Sequence, residues 1–128
     1  MVLQTIKENS AWVQMTWKCS YLMKWPNILY VANAMLGQFT EPEVIIGDRG
    51  TGGQRVNPAT MPEKKSMLVL RGTSKFFKGK TSLTFNTDTN DVVLLLPKSL
   101  NLPTDYESMS KAAGLFMDSI ELKMFTAH

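Results

Sequence analysis

The sequence predicts an α+β domain: an antiparallel β-meander with a C-terminal amphipathic helix packed on it or on a partner subunit. Three observations carry this reading. Residues 80–86 alternate strictly, with Thr81, Leu83 and Phe85 on one face and Lys80, Ser82, Thr84 and Asn86 on the other. Val92–Leu96 is an unbroken apolar run of strand length that follows a turn at Asp88-Thr89-Asn90-Asp91. From Tyr106 onward, Met109, Ala113, Phe116 and Ile120 recur at steps of three and four, which puts one apolar stripe along a helix. At 128 residues, 44% hydrophobic and 20% charged, the chain reads as one domain, 1–128, with a single core.

The elements follow in order. Residues 1–9 read as a tail or a first strand. Between Ala11 and Trp25, period-two spacing sets Val13, Met15, Trp17, Cys19, Tyr21 and Met23 on one face and Thr16, Lys18, Ser20 and Lys24 on the other, which favours a half-buried strand. A helix gathering Trp12, Met15, Cys19 and Met23 is the weaker alternative. Beyond Pro26, residues 27–36 fit either a helix, with Ile28, Val31, Ala32, Met35 and Leu36 on one side, or a buried strand at Ile28–Val31. Val44-Ile45-Ile46 is a short strand, and the Gly- and Pro-rich stretch around 47–62 is an exposed loop. Met67–Leu70 begins the meander, which residues 80–86 and 92–96 continue, the last expected to be buried on both faces. Thr104 and Glu107 have the spacing of a capping box at the start of the helix. Gly114 weakens that helix by about 1 kcal/mol relative to Ala, a cost that makes sense where another backbone comes close.

Composition narrows the chemistry. The single cysteine, Cys19, allows neither an internal disulfide nor a paired-thiolate zinc site, and the single histidine is the terminal His128. Histidine-based catalysis and His-ligated metals each need a positioned imidazole. Asp88 with Asp91, and Asp105 with Glu107, suit a turn and a helix cap better than an acid/base pair. No catalytic residue, metal site or cofactor is therefore expected, and the chain reads as no enzyme. Met1–Ser10 contains Lys7, Glu8 and Asn9 rather than the apolar core of a signal peptide, and no run approaches a bilayer span. The expected location is a virion or the cytoplasm of a host cell.

Two glycine motifs fail on context. Ser74–Thr81 ends like a phosphate-binding loop but has Ser74 where the first glycine belongs, and its Lys and Phe residues suit a basic hairpin. Gly47, Gly50, Gly52 and Gly53 lack dinucleotide-binding spacing. The charge distribution says more. Net charge is only +3, yet Lys64, Lys65, Arg71, Lys75, Lys78 and Lys80 fall within seventeen residues, and no acid occurs between Glu63 and Asp88. Gathered on a sheet, with Phe76 and Phe77 to stack on bases and Lys18 and Lys24 extending the patch, they form a candidate nucleic-acid surface suited to single-stranded RNA.

The C-terminal third also resembles the coat proteins of single-stranded RNA bacteriophages. The resemblance lies in a strand running into Pro97, then Thr104-Asp105-Tyr106-Glu107, then Lys111-Ala112 on an amphipathic helix. It covers about thirty residues and implies an intertwined dimer, each helix lying over the partner's sheet while the other sheet face contacts RNA. The possible helix at 27–36 and the 47–62 loop depart from that pattern. Nine Met and three Trp likewise point to a large self-interface, with Tyr106, Met109, Ala113, Phe116 and Ile120 as its candidates. The expected function is thus a non-enzymatic, self-assembling, nucleic-acid-associated structural protein, a small viral coat or nucleoprotein. The alternative is an adaptor that docks a protein through its aromatic N-terminal segment.

Overall fold

The computed structural model describes residues 1–19, 23–48, 50–100 and 105–126. Seven strands, β1 (Val2–Glu8), β2 (Trp12–Lys18), β3 (Phe39–Gly47), β4 (Gln54–Arg55), β5 (Met67–Ser74), β6 (Gly79–Asn86) and β7 (Asp91–Pro97), form one sheet. Helix α1 (Trp25–Met35) joins β2 to β3, and helix α2 (Tyr106–Thr126) closes the chain. The strand order is β1-β2-β7-β6-β5-β3-β4, and every pairing is antiparallel. The fold is therefore α+β, and β5-β6-β7 is the expected meander.

Directly opposed residues in an antiparallel pair point to the same face. Val13, Met15 and Trp17 of β2 oppose Leu96, Leu94 and Val92 of β7, and Leu94 and Val92 oppose Leu83 and Phe85 of β6. Leu70 and Leu68 of β5 continue the same rows to Val44 and Ile46 of β3. All of these are buried in one core with Ile28, Val31, Ala32 and Met35 of α1 and Met109, Ala113, Phe116, Met117, Ile120 and Met124 of α2. Both helices thus cover one face of this chain's own sheet. Among the described residues, no helix or strand covers the other face.

Local chemistry explains the elements that the sequence left open. Pro26 supplies a fixed φ in the first turn of α1, where a missing N–H costs nothing, so the residue that breaks a strand starts a helix. The helix is pinned by Trp25, whose Nε1 donates to the carbonyl of Pro62 at 2.9 Å. The strand begun at residue 12 ends at Lys18, short of Trp25, and residues 20–22 of the expected pattern lie outside those described. The loop at 47–62 is not wholly irregular, because Gln54 and Arg55 pair with Ile46 and Ile45. Val92–Leu96 is buried on one face only: Val92, Leu94 and Leu96 are in the core, while Val93 and Leu95 are half-buried on the uncovered side.

Three side chains set the hairpin turns. Asn9 Oδ1 accepts from the amides of Ala11 and Trp12 between β1 and β2. Ser74 Oγ accepts from Phe76 and Phe77 between β5 and β6. Asn86 Oδ1 accepts from Asp88 and Thr89 between β6 and β7. At α2, Asp105 is the cap: its Oδ1 accepts from the Ser108 amide at 2.9 Å and its carbonyl receives Met109 N–H. Thr104 lies outside the described residues.

Candidate nucleic-acid interface

The uncovered face is built from the alternate positions of the same strands. One row runs Lys7, Gln14, Leu95, Ser82, Arg71, Glu43, the next Thr5, Thr16, Val93, Thr84, Val69, Ile45, and the third Lys18, Asp91, Asn86, Met67. The centre therefore mixes hydroxyl and amide side chains with the half-buried aliphatics Leu95, Val93, Val69 and Ile45, with cations towards the rims and the β6 end. Trp12 opposes Pro97, and Thr73 opposes Lys80, at one end of these rows.

That end is concave. A groove of about 710 Å³ is lined by Trp12, Glu41, Arg71, Lys80, Leu95 and Pro97 among others. Its wall is a bulge in β3, where pairing shifts between Thr40 and Glu43. Glu41 there has φ 52°, a left-handed conformation that costs a non-glycine residue roughly 1–2 kcal/mol. Gly72 permits the bulge: a Cβ at this position would lie 3.1 Å from the Thr40 carbonyl oxygen and 3.2 Å from that of Glu41.

The cations of this face are partly neutralised within it. Glu43 bridges two arginines, with Arg71 Nη2 at 3.0 Å and Arg55 Nη2 at 3.2 Å. Lys18 Nζ lies 2.8 Å from Asp91 Oδ1 and donates to the Thr89 carbonyl at 2.8 Å. Lys7 and Lys80 have no ion-pair partner among the described residues. At the far end of β5, Asp48 is held below the usual aspartate range by the Ser66 amide and secondarily by Lys65, 3.6 Å away.

The expected site residues therefore divide. Lys18, Arg71 and Lys80 share the open face. Lys75 and Lys78 sit in the β5–β6 turn at its end, Lys78 at φ 58°. Lys24 precedes α1, which lies against the opposite face, and Lys64 and Lys65 stand at the other end of β5. Phe76 and Phe77 are corrected in their place: they stand on the helix side of the sheet and not on its open face. Their rings lie 5.4 and 5.1 Å from that of Phe116 on α2 and 4.9 Å from each other, Phe77 half-buried against the core and Phe76 46% exposed beside it.

The expected oligomer contacts are also corrected. Met109, Ala113, Phe116 and Ile120 are interior to this chain because the helix finds its counter-surface on its own sheet, and the Tyr106 side chain is outside those described. Of the aromatic N-terminal segment on which the adaptor reading rests, Trp17 and Trp25 are buried, Trp12 is half-buried and Tyr21 lies outside the described residues.

Lys7, Arg55 and Trp12 were not foreseen on this face. Alternation could have found Trp12 opposite Val13, but nothing local marks Arg55 as part of a strand. Comparison with family models, with curated proteins and with solved structures finds no match. Among the described residues, no three His, Cys, Asp or Glu side chains gather as a metal-ligand group. None of the described helices is long and apolar enough to cross a membrane.

Proposed function

We propose that the chain is a non-enzymatic, nucleic-acid-associated structural protein that holds single-stranded RNA on the open face of its sheet, in the manner of a small viral coat or nucleoprotein. One observation carries the reading: the helices cover one side of a seven-stranded sheet, while the other, bare among the described residues, sets Thr, Ser, Asn and Gln among half-buried aliphatics between Lys7, Lys18, Arg55, Arg71 and Lys80. Such a surface offers cations for phosphates and short polar groups for base edges and 2′-hydroxyls. Trp12, half-buried at the groove, replaces Phe76 and Phe77 as the aromatic available to stack. The coat-protein resemblance of the C-terminal third points the same way.

The test is fluorescence anisotropy with a labelled single-stranded RNA across a salt series. Affinity falls as salt rises, and Lys80→Glu weakens binding about tenfold or more at 0.1 M salt, because it removes one phosphate contact and adds a repulsion. Absence of binding at low salt, or binding indifferent to salt, defeats the proposal.

A further inference from the structure

The outward side of α2 has a composition that its place in the chain does not explain. Opposite the buried stripe lie Glu107, Lys111, Gly114, Leu115, Asp118 and Leu122, spaced by three and four residues so that they form a second stripe facing away from the sheet. Leu115 is 73% exposed and Leu122 67% exposed, although removing either from water is favourable. Gly114 costs the helix stability, yet a Cβ there would meet nothing within 4 Å. Among the described residues, no neighbour requires the glycine.

We propose that this stripe is the contact surface for a second copy of the chain, with two α2 helices crossing antiparallel about a two-fold axis. The charges select the register. Setting Lys111 of each copy against Asp118 of the other is reciprocal by symmetry, so a single choice satisfies both pairs. That register brings residues 114 and 115 of both helices to the crossing point, where the missing Cβ allows close approach and Leu115 loses its water. It keeps the helices overlapped from residue 106 to 123, about 27 Å at 1.5 Å per residue. Among the described residues, the ion-pair partner of Lys111 is Glu107, at 4.0 Å with both side chains more than four-fifths exposed, which leaves it available to a partner. The inner stripe stays on its own sheet, so no exchange of elements is needed. This inference gives a surface to the self-association half of the proposed function, and RNA binding is measured separately on the same variants.

The experiment is sedimentation equilibrium on nuclease-treated full-length chain, comparing wild type with Leu115→Glu, Lys111→Glu and the exchanged pair Lys111→Glu/Asp118→Lys. Circular dichroism checks that each is folded. The wild type sediments at twice 14.4 kDa. Leu115→Glu raises the dimer dissociation constant about 100-fold by burying an unpaired charge, and Lys111→Glu raises it about tenfold while the exchanged pair returns to within about threefold of wild type. A wild type that stays monomeric at about 100 µM, within the reach of a modest interface, overturns the proposal. So does a dimer indifferent to Leu115→Glu, or an exchanged pair no better than Lys111→Glu. A monomeric Leu115→Glu that still binds RNA separates the two claims.

Discussion

Removing a negative charge from the open face should strengthen RNA binding, and Glu43 is the place to test it. Its carboxylate holds both Arg55 and Arg71, so one acid masks two guanidinium groups. The face carries five cations, Lys7, Lys18, Arg55, Arg71 and Lys80, and three carboxylates, Glu43 and Asp91 paired to them and Glu41 at the groove, which leaves a net of two. For a single strand, two neutralised phosphates give a slope of log affinity against log salt of about −1.4, or an affinity loss of roughly sevenfold between 50 and 200 mM. Glu43→Gln raises the net to three, steepening the slope to about −2.1 and raising affinity about fivefold at 0.1 M salt. The fold should tolerate the change, since ion pairs at such exposure contribute about 0–1 kcal/mol. The assay is the anisotropy salt series, with Glu63→Gln, an exposed carboxylate just beyond the 47–62 loop, as the control that changes nothing. An unchanged slope in Glu43→Gln, or weaker binding, refutes the assignment of Arg55 and Arg71 to the RNA surface.

Three further outcomes follow from the geometry. Phe76→Ala and Phe77→Ala should each lower stability in urea unfolding by about 1–3 kcal/mol through lost ring packing on Phe116 and leave RNA affinity within about twofold; a loss of affinity without a loss of stability would return these rings to the site. Gly72→Ala should destabilise by about 1–3 kcal/mol, because its Cβ meets backbone atoms of Thr40, Glu41 and Pro42 rather than a yielding side chain; a neutral result in thermal unfolding would show that the bulge can move. The Asp105 carboxyl is held below its ordinary range chiefly by the Ser108 amide, so its stabilising contribution is complete above the unfolded value and is lost as pH falls through the lower folded one. Asn also caps but does not titrate, so urea midpoints of Asp105→Asn should fall less steeply than wild type below about pH 4; identical acid limbs would contradict this.

Much of the sheet was legible because alternation is a local signal. Thr81, Leu83 and Phe85 against Lys80, Ser82, Thr84 and Asn86, and Val13, Met15 and Trp17 against Thr16 and Lys18, read directly from spacing, and with them the shared face of Lys18, Arg71 and Lys80. What failed had no local period. Phe76 and Phe77 sit in a turn, where neighbouring side chains leave in unrelated directions, and only the position of α2 decides that both rings lie beside Phe116. The insertion of β7 between β2 and β6 places strands far apart in sequence side by side, and nothing within either strand announces that pairing. The neutralisation of Arg71 was invisible for the same reason, since its partner Glu43 lies 28 residues away on another strand. The inner stripe of α2 was read correctly as a packing surface but assigned to a partner, because hydrophobic periodicity specifies that a face is buried and not against which chain.

The same alternation ties stability to presentation. Along β6 every second side chain belongs to the core and every other one to the open face, so a shift of one residue would bury Lys80 and Asn86 and expose Leu83 and Phe85. The interface is therefore only as well ordered as the register of this strand. Backbone pairing alone holds register weakly, since a slipped ladder makes nearly as many hydrogen bonds. The core residues resist slippage in the middle of β6, and turn side chains fix it at both ends: Ser74 Oγ closes the β5–β6 turn at 3.1 and 3.2 Å, and Asn86 Oδ1 closes the β6–β7 turn at 2.9 and 3.1 Å. Asn86 itself stands in the third row of the open face, opposite Asp91 and Met67. One side chain thus sets the register on which the surface depends and itself stands on that surface, so the turn and the face are coupled through a single residue.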